Sequence, residues 1–412
     1  MSDSDGNGGW SGDGATSGDS FTETTHKSWF QRLMNSLMAV VFGLLLVPGS
    51  CVLLFWNEGR AVQTSRSLTE GASNVVGADA ARVDPALEGR LVHVSGPLAV
   101  AQPPRDRDFA LQAPPGAIRL QRKVEMFQWQ EESRSERRTN VGGSQDTVTT
   151  YTYRQVWAAD RIDSGRFRQQ GGHENPRPRF LSRTETAPEA RLGARRLTSD
   201  QLGSLGEAQA IPLDPARMSL PPGAKVAGEV IYIGADPERP RIGDLRITFL
   251  AAAPASASVI GAQAADGFAP FATRAGDRLL LMTAGQVPAA EMFQDAQASN
   301  TVLTWILRAV GCVLMLIGFS LLWSPLTTLV SVLPFLESVA GAGAFLISLL
   351  LTLVTAPVVI AVAWFFYRPL VALGVLAVGL AGAFAVSRLA ASRRPARPVA
   401  ATAGGPSRPW NR

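Results

Sequence analysis

The side chains able to do chemistry in this chain are few and scattered. Its three histidines, His26, His93 and His173, lie far apart and match no metal-ligand spacing. His93 falls in an alternating stretch, Leu91 to Ser95, where a hydrogen-bonded structural histidine is the expected reading. Cys51 and Cys312 both sit inside apolar runs, so a disulfide framework or a redox pair is not expected. Three carboxylates in the polar middle of the chain, Glu125, Asp160 and Asp244, could act as general acid and base only if the fold brought two of them together. HExxH, CxxC, GxSxG, Walker A and GxGxxG motifs do not occur in a convincing context. The expectation is a protein with no catalytic residue, no cofactor and no metal ligand.

One polar cluster stands out by position: Asn57-Glu58-Gly59-Arg60 directly follows an uncharged run from Leu33. Gly59 and Arg60 could end a helix, the glycine left-handed and the arginine facing the dipole. Alternatively Glu58 and Arg60 pair and anchor a domain on the membrane surface. The two readings are compatible.

The run itself, transmembrane helix 1 over 33–57, has about 20 apolar or small residues at its centre, enough at 1.5 Å each to cross a hydrocarbon core of about 30 Å. Trp29, Phe30 and Trp56 sit near its ends, where aromatic rings favour the headgroup zone. Too many residues precede the run for a cleaved signal peptide, and Pro48-Gly49-Ser50-Cys51 is a poor lipoprotein site. Residues 1–26 are Gly, Ser and Asp-rich and are expected to be a disordered tail.

Residues 58–302 read as one α+β domain of mainly antiparallel strands. A short surface helix is expected over 60–76. The clearest hairpin joins strands at 118–129 and 148–157, with Tyr151, Tyr153 and Trp157 at period two, through a polar insert over 130–147. Residues 170–222, rich in Pro, Gly and Arg, predict loops. Strand texture returns at 225–233, 243–249 and 278–282, and a helix from Ala289 runs into the next apolar segment.

Three further spans are expected: 303–322, interrupted only by Arg308; 338–367, which contains Pro357; and 370–387, after a tight turn at Arg368-Pro369. The fold class is therefore a multi-span α-helical membrane protein with four transmembrane helices and a large soluble domain between the first two. The chain is 46% hydrophobic and carries a formal charge of +5, the excess lying in the Arg-rich tail over 388–412. The positive-inside bias puts that tail and the N-terminus in the cytoplasm and the domain outside. Arginine in place of lysine and abundant alanine suit a GC-rich bacterial genome, hence a bacterial inner membrane.

The middles of the spans hold no ionisable residue, which argues against coupled transport. Small residues recur every fourth position at Ala340, Ala344, Ser348, Thr352 and Ala356, and again at Gly379, Ala383 and Ser387, rows that let helices approach closely. Expected partners are membrane lipids, other membrane proteins and a second copy of the chain; the nearly balanced soluble part gives no support for nucleic acid. A passive oligomeric channel and a membrane-surface enzyme acting on lipid or envelope polymer are the competing functions.

Five ordered stretches resemble the transmembrane protein 43 (LUMA) family: Asn57-Glu58-Gly59-Arg60-Ala61, Glu88-Gly89-Arg90-Leu91-Val92-His93, Val124-Glu125-Met126-Phe127-Gln128-Trp129, Gly243-Asp244-Leu245-Arg246 and Phe366-Tyr367-Arg368-Pro369-Leu370. The resemblance implies four spans with a large domain between the first two. It further implies a non-enzymatic organiser of membrane protein complexes, placed in eukaryotes in the endoplasmic reticulum and inner nuclear membrane. No catalytic residues come with it.

Overall fold

The computed structural model describes residues 19–370 and single positions 373, 374, 377, 381 and 388. The strands, in chain order, are β1 (Ser20–Lys27), β2 (Val76–Gly77), β3 (Leu91–Ala99), β4 (Arg119–Thr139), β5 (Gln145–Ala158), β6 (Arg183–Thr186), β7 (Glu189–Leu192), β8 (Arg195–Thr198), β9 (Gln209–Ala210), β10 (Ala224–Ala227), β11 (Val230–Ile233), β12 (Leu245–Ala252), β13 (Ser256–Ala264), β14 (Gly267–Ala269), β15 (Phe271–Ala272), β16 (Arg278–Leu279) and β17 (Leu281–Ala284). The helices are α1 (Trp29–Asn74), α2 (Ser199–Leu202), α3 (Ala289–Leu322), α4 (Ser324–Val330) and α5 (Pro334–Tyr367).

Of the helices, α1, α3 and α5 are long and apolar enough to cross a membrane. Of the fourth expected span, 370–387, only residues 370, 373, 374, 377 and 381 are described; Gly379 and Ala383 lie outside the described residues, as does the tail beyond the span apart from Arg388. Glycines set the crossing of α1 and α3. A methyl group on Gly43 would lie 2.8 Å from the Gly318 carbonyl oxygen, and one on Gly311 would strike the Leu54 side chain. The row on α5 faces its own bundle: Ser348, Thr352 and Ala356 are buried, and Ala356 packs with Leu54 of α1 and Met315 of α3.

The expected end of the first helix near Gly59 is corrected by the structure. The helix continues to Asn74, absorbing the short surface helix, because Ala61, Val62, Leu68 and Gly71 form an apolar face that the domain covers. Leu68 packs with Leu91, Ile260, Leu279, Met292 and Phe293. One continuous rod therefore belongs to bundle and domain alike.

The domain is mainly antiparallel. One sheet runs β1-β5-β4-β12-β11-β10, and another runs β14-β13-β3-β7-β8. Each carries its own core, the first around Phe109, Ile231, Ile247 and Phe249, the second around Val92, Leu192, Leu197 and Val259. Residues 170–222 are less irregular than expected, with short strands pairing onto both sheets.

Two differences concern the long hairpin. The insert over 130–147 is strand, with a turn only at 140–144, and β4 is 21 residues long. In addition, residues 20–27, with 20–26 expected to be disordered, pair with β5 from Ser20↔Thr152 to Lys27↔Gln145. At about 3.3 Å per residue β4 extends roughly 70 Å, far enough for its turn to reach the opposite end of α1. There Gly142 N–H donates to Val332 C=O, and Gly143 sits against the Trp29 ring. The strand preceding the first apolar helix and the hairpin following it thus share one sheet, whereas the expected topology puts them on opposite faces of a membrane.

Candidate functional site

The residues singled out at the end of the apolar run converge where α1, α3 and α5 meet the domain. Glu58, buried, accepts from Arg308 Nε at 2.6 Å and from its second guanidinium nitrogen at 2.9 Å, and Trp364 Nε1 donates to the same carboxylate at 2.8 Å. The guanidinium also lies 4.8 Å from the Trp305 ring centroid. The sequence-level partner of Glu58 was Arg60; the structure gives Arg308 instead, because side chains two apart on a helix point to different faces. Arg60 turns to α3, donating to Asn300 Oδ1 at 3.0 Å and Thr304 Oγ1 at 3.1 Å. Asn57 completes this set by donating to the Thr304 carbonyl at 3.1 Å.

Gly59 is helical and serves close approach: an added methyl group would lie 2.7 Å from the Tyr367 ring. The Tyr367 carbonyl accepts from Arg66 at 2.8 Å, and Arg368 N–H closes the end of α5 onto Trp364 C=O. Pro369 follows where that helix stops. A bidentate pair with a third donor, at the edge of an apolar bundle, gives both carboxylate oxygens a donor and works as a structural lock. Sequence reasoning noted Arg308 without joining it to Glu58, and it missed Trp364, Asn300 and Thr304. The available signal was that Glu58 and Arg308 each bound an apolar run at ends that antiparallel helices bring together.

The other singled-out residues hold the domain. Glu88 accepts from Ala265 N–H, Gly89 takes a left-handed φ of +71°, and the Arg90 carbonyl accepts from Gln263 N–H, so this loop fastens onto β13. Glu125 lies opposite Arg246 in the register and pairs with it at 2.6 Å; the Arg246 hydrogen bond holds the carboxyl below its usual range. Arg246 also stacks on Trp157. Gly243 is left-handed and donates to the Phe127 carbonyl. Asp244 accepts from Tyr232 Oη at 2.6 Å, and burial together with that hydrogen bond pushes the phenol up. The Asp160 carbonyl accepts from Gln128. The Glu125 and Asp244 carboxylates thus go to different partners, Arg246 and Tyr232, while Asp160 is tied through its backbone.

Trp129 exchanges backbone bonds with the Asn175 side chain and packs edge-on against buried His173. His173 stacks on Tyr153 with centroids 4.0 Å apart and reaches Asp19 at 2.5 Å. Burial pushes the Tyr153 phenol up to about 12. His93 bonds the Val287 carbonyl at 3.0 Å, the structural role expected for it. Among the described residues no group of three or more His, Cys, Asp and Glu is placed to hold a metal ion.

A second polar cluster occupies the opposite end of the bundle. Arg32 pairs with Glu337 at 2.6 Å and also donates to the Gly143 carbonyl and Ser331 Oγ, while Trp29 Nε1 donates to the Thr328 carbonyl.

Comparison with known proteins gives the chain a family. The family described as transmembrane protein 43 matches residues 126–369. The chain is 34% identical to transmembrane protein 43 of Mus musculus over 366 residues, 85% of this chain and 89% of the relative. It is 34% identical to that of Homo sapiens over 376 residues, 87% and 91%, and 28% identical to the Drosophila melanogaster homologue over 368 residues, 87% and 95%. No solved structure matches. By these matches over most of its length, the chain belongs to the transmembrane protein 43 family.

Proposed function

We propose that this membrane protein is a non-enzymatic scaffold that organises other membrane proteins through its large domain and the outward faces of its helices. The observation that carries this reading is the lock at Glu58. It fixes α1, α3 and α5 to one another at the point where α1 enters the domain, so the domain holds a set orientation to the bundle, as a platform for partners requires. Two of the carboxylates that an enzyme could have used, Glu125 and Asp244, are occupied by Arg246 and Tyr232. The small-residue row that motivated an oligomeric pore is used on α5 to pack its own bundle.

The test is in-cell crosslinking and purification of the full chain against a version lacking residues 80–285. Specific membrane proteins captured only by the full chain are the expected result. Self-capture alone by both versions sinks the reading and directs attention to conductance.

For topology we propose a bacterial inner membrane crossed by α1, α3, α5 and the fourth expected span over 370–387, the termini cytoplasmic and the bulk of the domain outside, on the Arg bias of the tail. The β1–β5 pairing opposes a clean division of N-terminus and domain. A Thr22→Cys, Thr150→Cys pair, opposed in the register, decides the matter: a disulfide formed in intact membranes keeps the two strands on one face, and its absence restores the division.

A further inference from the structure

Between the hairpin and the end of the bundle lies a cleft of about 520 Å³. One wall is the ribbon, where Thr25, Thr147 and Arg137 stand in one cross-strand row and Lys27 lies two residues along the same face. The other wall is helical and contributes Arg32, Asn35 and Ser36 from α1 and Ser324 and Thr328 near α4. The lining holds three cations and no carboxylate. Arg32 is neutralised by Glu337, but Lys27 and Arg137 are exposed and have no carboxylate partner among the described residues. The nearby acids are committed elsewhere: Glu23 to Arg168, and Asp146, on the opposite face of the ribbon, to His26 and Asn140.

We propose that this cleft binds the phosphodiester of an anionic membrane lipid, with Lys27 and Arg137 neutralising the phosphate and the hydroxyls of Thr25 and Thr147 donating to its oxygens. Its position selects a lipid over free phosphate. The cleft opens at the first turns of α1, where the uncharged run begins, and Met34, Leu37 and Met38 are exposed next to it to receive acyl chains. An aromatic residue at the same level, Trp29, is fixed by its bond to Thr328. Basic pockets of this kind between the ends of membrane helices suit anionic headgroups.

The full-length protein in detergent is titrated with phosphatidylglycerol or phosphatidylcholine and bound lipid is counted by native mass spectrometry. Phosphatidylglycerol is expected to bind ~10-fold tighter or better. Lys27→Gln with Arg137→Gln should reduce that preference to within about twofold, at an unchanged melting temperature in phosphatidylcholine, since neither side chain packs in a core. Lys27→Arg with Arg137→Lys, which keeps both charges, should retain it. Equal binding of the two lipids, or an undiminished preference in the Gln variant, overturns the proposal. So does tight binding of inorganic phosphate with no lipid preference, which would make this a free-phosphate site.

Discussion

The two polar ends of the bundle are built from the same residue types and come out differently. At the Glu58 end an Arg, a Glu and a Trp from three helices close on each other inside the protein. At the Arg32 end the ion pair is similar in length, 2.6 Å in both, but the surroundings are a ribbon and a turn, and two cations are left over. A charge in a closed, apolar setting must find its counter-charge within the chain, because burying it alone costs several kcal/mol. A charge at an open edge keeps water, and so remains available to a ligand. The lesson is that the closed end holds the molecule together and the open end is where it can bind.

The comparison breaks most sharply at Glu58. Glu58→Ala leaves Arg308 unpaired in a mostly enclosed site and is expected to destabilise by about 3 to 5 kcal/mol, read as a lowered unfolding midpoint in detergent. Arg32→Ala leaves behind Glu337, whose side chain is 27% exposed against 17% for Arg308, and should cost less; equal losses would erase the distinction between the ends. Next in size is Gly59→Val, which drives a side chain into the Tyr367 ring. A loss of about 1 to 3 kcal/mol is expected from overpacking, and a stability unchanged by the substitution would show that α5 docks elsewhere.

The smallest effect sharpens the contrast with the domain surface. The folded pKa of Glu125 lies below the ordinary value of 4.5 because of Arg246. Its contribution is therefore fully present above that pH and is lost as pH falls through the depressed folded value. Stability of Glu125→Gln should consequently depend less on pH below about 4.5 than that of the parent, measured by thermal unfolding across an acid series. Parallel acid profiles for the two proteins would remove Glu125 from that role.

The apolar helices, the antiparallel domain and the structural part of His93 were legible from local pattern, since uninterrupted hydropathy and period-two alternation are properties of adjacent residues. The outer half of the hairpin was not. Its strands are exposed on both faces, so Glu132, Arg134, Glu136 and Arg138 carry no alternation to read. Residues 20–27 failed for the same reason, since a polar edge strand is held by backbone pairing with β5 that nothing in its own composition announces.

The sequence by itself determined which segments are apolar enough for a bilayer, where polar residues interrupt them, and that Glu58 and Arg308 mark the edges. Only the tertiary structure decided that these two pair, that Gly59 is a contact point and not a helix end, and that Lys27 and Arg137 face one cleft from strands 110 residues apart. The physical reason is range. Hydropathy and helix length are set within about 20 neighbouring residues, whereas a partner for a charge is chosen by which helices and strands pack side by side.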